Sequence, residues 1–348
     1  MDATTHKGNG LRWAVFALLA VAGLFYVKWY PYYGRAFEAA ANHSIGHSIL
    51  MGDAASAPAP SWDAAIGYAL AYGKAIWKAM VLGLLLGSAI QALLPPNVVQ
   101  RLLGSARFGG IFTGALLGVP GMMCTCCAAP VVAGLRRRQA APGASVAFWL
   151  SNTMLNPATL VFMGFVLGWQ WVGLRVVVAI AMVFGLGWLA NRMEGPGTAV
   201  PIEALPAAEP ASALDVARRW LTIFTRMTLR LIPEYIVIVL ALGAARAWLF
   251  PHIGADIGNQ WYWIAGLAFA GMLFVIPTAG EVPIVQAMLS LGLGVGPAAA
   301  LLVTLPPVSL PSLTMLVRSL PLRLLAALAL AVVAFGIAAG YAAITLHL

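Results

Sequence analysis

Long apolar segments alternate with short polar connections along the whole chain. Most of these segments have about 20 residues or more, the length that an α-helix needs to cross a bilayer. They cover residues 11–27, 74–94, 109–135, 143–167, 171–190, 229–250, 261–289, 296–317 and 322–346. The pattern predicts an all-α polytopic membrane protein with about nine transmembrane segments.

Composition supports this class, since only 9% of the 348 residues are charged and 61% are hydrophobic, whereas soluble domains carry roughly 25% charged residues. The net charge is +9, but the basic residues lie in short loops, which indicates membrane orientation and not nucleic-acid binding. Placing Arg136 to Arg138 in the cytoplasm puts twelve basic residues inside and eight outside.

Segment 11–27 lacks a small-residue cleavage site, so we expect a retained first helix, followed by an interfacial belt of Trp29, Tyr30, Tyr32 and Tyr33.

A Pro- and Glu-containing stretch at residues 191–217 separates the apolar segments into two groups of four. It has no apolar periodicity on which to fold and is typical of a flexible linker. We therefore predict four regions. These are an N-terminal helix with an amphipathic linker (1–61), a first membrane repeat (62–190), a flexible cytoplasmic linker (191–217) and a second membrane repeat (218–348).

The two groups of four segments resemble each other. Pro130 and Gly143 correspond to Pro283 and Gly296 at one constant offset, and Asn156 corresponds to Leu310 if one residue is inserted. This correspondence predicts an internal duplication. An even number of spans in each copy predicts parallel repeats, unless some segments turn back within the membrane.

Helix-interrupting residues occur at matching places in the two predicted repeats, at 118–130, 152–157, 276–283 and 305–312. Paired broken helices in two repeats are the best sequence indication of a transporter binding site. Unwound backbone is tolerated in a membrane only where protein or a watery cavity surrounds it. The four breaks therefore predict a central cavity.

The first of these breaks contains all three cysteines of the chain, Cys124, Cys126 and Cys127, directly after Met122 and Met123. Thiolates and thioethers select soft ions such as Cu(I), and the same softness favours As(III). Cys124 and Cys127 share a helix face, whereas Cys126 joins them only if the backbone unwinds. Pro120, Gly121 and Pro130 permit that unwinding. The alternative is that the cysteines and Met123 are ordinary core residues, but three cysteines within four positions favour a substrate site.

Polar residues near the other breaks extend the candidate site. Glu281 lies within an apolar run and is predicted to carry a proton, and Glu234 has either the same role or an interfacial position. Asn152, Thr153, Asn156 and Ser309 either line the cavity or form hydrogen bonds between helices. We expect no cofactor and no metal centre. His43 and His47 have a spacing that can share a metal, but without a third ligand a surface pair is favoured.

Three motifs carry a resemblance to a known family. They are Cys-x-Cys-small-x-x-Pro at 124–130, Gly-Ala-x-x-Ala-Phe at 143–148 and Asn-Pro-Ala-Thr at 156–159. In these motifs the chain resembles the ArsP-like, YraQ-type family of predicted permeases. The resemblance implies a multi-pass permease of the bacterial inner membrane that exports trivalent organoarsenicals. The chain departs from the family in having Thr125 and Cys127 where members typically have Ser and Gly, and its first 60 residues lie outside the resemblance.

Together these features predict a permease, not an enzyme, that exports soft thiol-reactive substrates by proton antiport, with the cysteines on one repeat and Glu281 on the other. No Walker-type phosphate loop is present, so we expect the proton gradient to supply the energy. The expected partners are the lipid bilayer, a small soft-metalloid substrate and protons, with no nucleic acid; a homodimer is a further option. One alternative is a membrane thiol–disulfide relay through Cys124 and Cys127. The other is a permease for an unrelated small solute or a soft metal ion.

Overall fold

The computed structural model describes residues 3–50, 58–194, 213–250 and 257–348. Within these ranges the regular structure is helical, and no strand occurs. The α-helices are α1 (Ala3–Leu24), α2 (Tyr30–Asn42), α3 (Trp62–Leu93), α4 (Pro96–Leu103), α5 (Phe108–Gly118), α6 (Thr125–Arg137), α7 (Pro142–Met154), α8 (Pro157–Val166), α9 (Trp169–Glu194), α10 (Ala213–Leu249), α11 (Trp261–Leu273), α12 (Glu281–Ser290), α13 (Val295–Thr304), α14 (Leu310–Leu316) and α15 (Leu322–Thr345). The predicted all-α architecture is confirmed.

Five helices in the described ranges are long and apolar enough to cross a membrane. They are the N-terminal helix (residues 12–42), α3, α9, the main part of α10 and α15. Helices α4 and α5 form a sixth span if the pair, bent by 104°, is counted as one. Four of the nine predicted segments, 109–135, 143–167, 261–289 and 296–317, each consist of two short helices with a break between them. The number nine is therefore not confirmed.

Each predicted interruption of these four segments is confirmed, but the breaks are shorter than predicted. We call them the first break (119–124), the second break (155–156), the third break (274–280) and the fourth break (305–309). Pro130 and Pro283, which were expected within the breaks, lie inside helices α6 and α12. Pro130 removes one hydrogen bond within α6, and membrane helices tolerate this loss when neighbouring groups satisfy the freed carbonyl. Pro283 lies in the first turn of α12, where an N–H group has no partner within the helix.

Helix α3 lies at the centre of the fold, since 78% of its most apolar 18-residue window is buried within the protein. It packs against α1, α6 and α10. The contact with α6 is very close: a Cβ atom added to Gly83 would lie 2.0 Å from the carbonyl oxygen of Cys127, and one added to Gly87 would lie 2.2 Å from that of Pro130. This Gly-x-x-x-Gly pair allows the two backbones to touch, as small residues do between membrane helices.

The order of helices agrees with the predicted duplication. Helices α7 and α13 begin at residues 142 and 295, and α9 and α15 begin at 169 and 322, so both pairs are 153 residues apart. Packing between the halves is reciprocal, because α6 contacts α14 while α12 contacts α8. Asn156 and Ser309 precede α8 and α14 at the same offset, so the structure aligns these two residues without the predicted one-residue insertion. The duplication and its parallel orientation remain predictions.

The N-terminal region differs from its prediction. Helix α1 continues through one π-helical turn (Phe25–Trp29) into α2, which packs on α8. Helix α2 ends at Asn42, where His43 has a left-handed conformation with φ 49°. Within the described part of the predicted N-terminal region (1–61), helical structure therefore ends at Asn42. The predicted flexible linker at 191–217 lies mostly outside the described residues. Its first residues belong to α9, which extends to Glu194, and its last residues belong to α10, which begins at Ala213.

Candidate functional site

The first break places the cysteines by a change of backbone direction. Val119–Gly121 form one 3₁₀ turn, Met122 has a left-handed conformation with φ 50°, and Cys124 is extended (φ −74°, ψ 165°) as the residue that precedes α6. Because Cys124 is extended and the two later cysteines are helical, all three side chains point into one volume. The unwinding as far as Pro130 that the sequence suggested is therefore not needed.

The three sulfur atoms form a compact cluster, which we call the sulfur triad (Cys124, Cys126, Cys127). The Sγ atom of Cys124 lies 3.2 Å from that of Cys126 and 2.9 Å from that of Cys127. All three side chains are buried. Their ligand atoms lie within 4.8 Å of one another, so a single soft atom could contact all three. The predicted grouping of the cysteines agrees with this geometry.

Two tyrosines from other helices surround the triad. The Tyr72 hydroxyl on α3 lies 3.1 Å from the Cys126 Sγ, and the Tyr235 hydroxyl on α10 lies 3.9 Å from the same atom. The two rings are 6.2 Å apart. Sequence reasoning did not identify either tyrosine. A tyrosine within an apolar helix could have indicated them, because its hydroxyl group needs a hydrogen-bond partner when it is buried.

A small cavity of about 10 Å³ adjoins the triad, enough for roughly one water molecule. Both halves of the chain contribute to its wall. The lining includes Met123, Cys124, Asn156, Thr278 and Glu281. The structure thus brings together residues of all four breaks, since Leu305 and Pro306 of the fourth break also line this cavity. Because the cavity is so small, a substrate enters only if the surrounding helices move.

Glu281 lies at the first turn of α12 and forms a buried ion pair. Its carboxylate accepts a hydrogen bond from Nη1 of Arg175 at 2.7 Å, and the side chains are 2% and 0% exposed. Arg175 on α9 also donates to the carbonyl oxygens of Thr153 and Met154, at 3.0 and 3.1 Å. Sequence reasoning missed Arg175. It is an ionisable residue within an apolar span, which marks a functional residue by default.

The predicted neutral polar residues hold the breaks in shape. Asn152 binds both the N–H and the carbonyl oxygen of Met123, at 3.3 and 3.1 Å. Asn156 caps α8 by accepting from the N–H groups of Ala158 and Thr159. Ser309 caps α14, and its hydroxyl lies 3.0 Å from that of Thr125, next to the triad. Of these three, Asn156 also lines the small cavity.

The remaining candidates lie elsewhere. The side chain of Glu234 is 43% exposed and pairs with Arg318 at 3.0 Å, which fits the interfacial alternative. His43 follows α2, and its Nδ1 lies 2.7 Å from the carbonyl oxygen of Phe165. His43 and His47 therefore do not share a helix face, because the helix ends before them and Gly46 has φ 108°. In the described part of the chain, the sulfur triad is the one cluster of three or more side chains that could together bind a metal ion.

Comparison with known proteins gives one consistent result. A family model described as a predicted permease matches residues 68–344. UPF0718 protein YraQ of Escherichia coli (strain K12) is 49% identical over 330 residues, which cover 93% of each chain. A UPF0718 protein of Methanocaldococcus jannaschii is 23% identical over 299 residues, which cover 67% of this chain and 82% of the relative. No solved structure matches the chain.

Proposed function

Since the chain belongs to the ArsP-like family of predicted permeases, we propose that this membrane permease exports soft, thiol-reactive substrates, foremost trivalent organoarsenicals. Export takes place across the bacterial inner membrane. The sulfur triad is the substrate-binding group, and Glu281 carries the coupling proton. The single observation that carries the proposal is the approach of three buried thiols to within 4.8 Å of one another.

The triad suits a trivalent arsenic centre for reasons of softness and geometry. Sulfur ligands prefer soft atoms. A molecule R–As(OH)₂ binds two thiols by exchanging two As–O bonds for two As–S bonds, and the two thiol protons leave with the two hydroxyl groups as water. The third sulfur remains as a neighbouring ligand that permits stepwise exchange. Release on the opposite side is the reverse reaction, in which two water molecules restore the thiols.

The ion pair between Arg175 and Glu281 supports a role for Glu281 in coupling. A proton on the Glu281 carboxylate removes its charge and weakens the bond to Arg175. The guanidinium remains attached to the carbonyl oxygens of Thr153 and Met154, directly before the second break. Protonation thus loosens the contact between α12 and α9 next to the cavity, which is the motion that substrate entry requires.

Uptake of a trivalent organoarsenical into everted membrane vesicles tests the thiol mechanism, with arsenite and copper(I) as further substrates. We expect Cys126→Ser and Cys127→Ser each to reduce uptake and the double variant to abolish it, because two As–S bonds need two thiols and the double variant retains one. If both variants transport like the parent, the thiol mechanism is wrong. Transport that survives removal of all three cysteines would indicate a permease for an unrelated solute.

The same vesicles test the proton step when a pH gradient is imposed. Glu281→Gln should abolish transport driven by the gradient while leaving the affinity for the arsenical unchanged, because the triad is intact. Glu234→Gln is the matched control, since that carboxylate is exposed and pairs with Arg318. Normal gradient-driven transport by Glu281→Gln would refute the assignment of the proton to this residue.

A thiol–disulfide relay is the second candidate, and the 2.9 Å separation of the Cys124 and Cys127 sulfurs favours it. Oxidation of these two thiols would need an electron acceptor in contact with them. The chain has three cysteines in total, all of them in the buried triad, so it offers no cysteine elsewhere to relay electrons. Trapping a mixed disulfide with a periplasmic thioredoxin-like protein would support the relay.

A further inference from the structure

The N-terminal helix carries a buried lysine to the edge of the site. Lys28 lies in the π-helical turn Phe25–Trp29 and is 4% exposed. Single π-helical turns inside α-helices occur frequently at functional sites, because the extra residue redirects neighbouring side chains. The family model begins at residue 68, so this lysine lies outside the region that the model covers.

Neutral groups surround the ammonium. Lys28 Nζ donates to the Thr278 hydroxyl at 2.9 Å and lies 5.2 Å from the centre of the Tyr32 ring. Across the described ranges no carboxylate pairs with it. Burying a charge is costly unless a partner of opposite charge or a dense set of hydrogen bonds compensates it. The positive charge of Lys28 is therefore not matched by a carboxylate within the described residues.

The position of Lys28 is fixed relative to both halves of the site. The next residue, Trp29, donates its indole N–H to the carbonyl oxygen of Pro120 in the first break, at 2.8 Å. Thr278, the partner of Lys28, belongs to the third break and lines the small cavity together with Cys124. The π-helical turn thus bridges the first and third breaks and holds a cation at the edge of the cavity that Cys124 lines.

We propose that Lys28 is a substrate-binding residue that recognises an anionic group on the thiol-reactive substrate. This inference rests on the proposed function and narrows its substrate class to molecules with both a soft centre and an anionic oxygen. Arg175 and Glu281 compensate each other, whereas Lys28 has no carboxylate partner within the described ranges. An anionic oxygen supplies the missing charge through a charge-assisted hydrogen bond.

Binding of two matched compounds tests this proposal on the full-length protein in lipid nanodiscs. The neutral probe is phenylarsine oxide, and the anionic probe is its 4-carboxylate derivative, which has the same arsenic centre. Calorimetric titration gives both affinities for the parent, Lys28→Met, Lys28→Gln and Lys28→Arg. Lys28→Gln keeps a donor for Thr278 but removes the charge. Lys74→Met is the control, since Lys74 is exposed on α3.

We expect the parent to bind the carboxylate more tightly than the neutral probe. Lys28→Met and Lys28→Gln should weaken binding of the carboxylate by about ten- to a hundredfold, the usual contribution of a hydrogen bond to a charged group, while changing the neutral probe by less than about twofold. Lys28→Arg and Lys74→Met should retain the preference of the parent.

Equal losses for both probes, or no loss for either, would overturn the assignment, because Lys28 would then have a structural role or none. The proposal also fails if the parent binds phenylarsine oxide but not its carboxylate, although the proposed function survives that result. A parent protein that binds neither probe refutes the proposed function and this inference together.

Discussion

Arg175 has no exposed side-chain surface, and its guanidinium binds one carboxylate and two carbonyl oxygens. This arrangement satisfies a charge that would otherwise be very costly at such a depth. The pair joins α9, which precedes the predicted linker at 191–217 in the sequence, to α12, which follows it. Individual buried charges thus hold the two halves of the site together, and removing one partner leaves the other uncompensated.

Arg175→Met should lower the free energy of unfolding by about 3–5 kcal/mol, because the Glu281 carboxylate remains buried without its partner. Thermal unfolding in detergent measures the loss. Arg318→Met is the matched control: it breaks the exposed pair with Glu234 and should cost about 1 kcal/mol or less. The double variant Arg175→Met with Glu281→Gln should recover part of the stability. Equal effects of the two single variants would contradict this account.

Helix α3 determines where the sulfur triad lies, because α6 rests directly on it. Gly83 and Gly87 contact the backbone of α6 at Cys127 and Pro130. These glycines are one helical turn apart and form a smooth groove without side chains. Tyr72 on the same helix contacts Cys126. One helix thus supplies both the groove that receives the triad-bearing helix and a polar group beside the sulfurs.

Gly83→Ala should destabilise the protein by about 1–3 kcal/mol, since the new Cβ overlaps backbone that cannot rotate away. The displacement of α6 should also weaken binding of phenylarsine oxide. Gly73→Ala on the same helix is the control, because nothing lies within 4 Å of its Cβ position, and it should be neutral or stabilise by about 0.5–1 kcal/mol. Thermal unfolding and calorimetry report both effects. Unchanged affinity in Gly83→Ala would show that α6 tolerates the shift.

Side-chain caps also stabilise the short helices, because they satisfy backbone N–H groups at the helix starts. Asn156→Ala removes the acceptor for two N–H groups at the start of α8 and should cost about 0.5–2 kcal/mol. Asn156→Ser keeps a capping oxygen and should retain most of the stability. Hydrogen exchange should accelerate at the amides of Ala158 and Thr159 in the alanine variant alone. Equal exchange in both variants would argue against the cap.

At the scale of the whole molecule, two arginines connect the C-terminal ends of α3, α6 and α9. Arg136 is buried and pairs with Glu194 at 2.8 Å, which connects the end of α6 to the end of α9. Arg138 donates to the carbonyl oxygen of Gln91 near the end of α3. The basic run is therefore part of the packed structure and not a free loop. Its charge still predicts the cytoplasmic side.

Reporter fusions test this orientation. Helix α9 is long enough to cross a bilayer, so its two ends should lie on opposite sides. A fusion that ends at Glu194 should give fluorescent green fluorescent protein and inactive alkaline phosphatase, because that end is predicted to be cytoplasmic. Fusions that end at Gly168 should show the reverse pattern. Identical results at both positions would mean that α9 does not cross.

Sequence reasoning grouped the cysteines and the four breaks of the candidate site, whose role stays a prediction, but it missed Tyr72, Tyr235 and Arg175. Proline and glycine interrupt a helix locally, and an apolar segment is visible in the sequence itself, so the four interruptions and the grouping of the cysteines were predictable. For Asn152 and Ser309, which were expected either to line the cavity or to form hydrogen bonds between helices, the structure shows hydrogen bonds to groups at the breaks. Lys28 is one of the twelve basic residues that the predicted orientation places on the cytoplasmic side, and its burial depends on how the N-terminal helix packs.

The sequence by itself determined the all-helical class, the apolar segments and the position of the soft ligands, because each follows from local composition and spacing. Only the tertiary structure decided which groups meet. Arg175 and Glu281 are 106 residues apart, and Lys28 and Thr278 are 250 residues apart. Such pairs form through helix packing, which no local pattern encodes, so the charges around the sulfur triad became visible only in the folded chain.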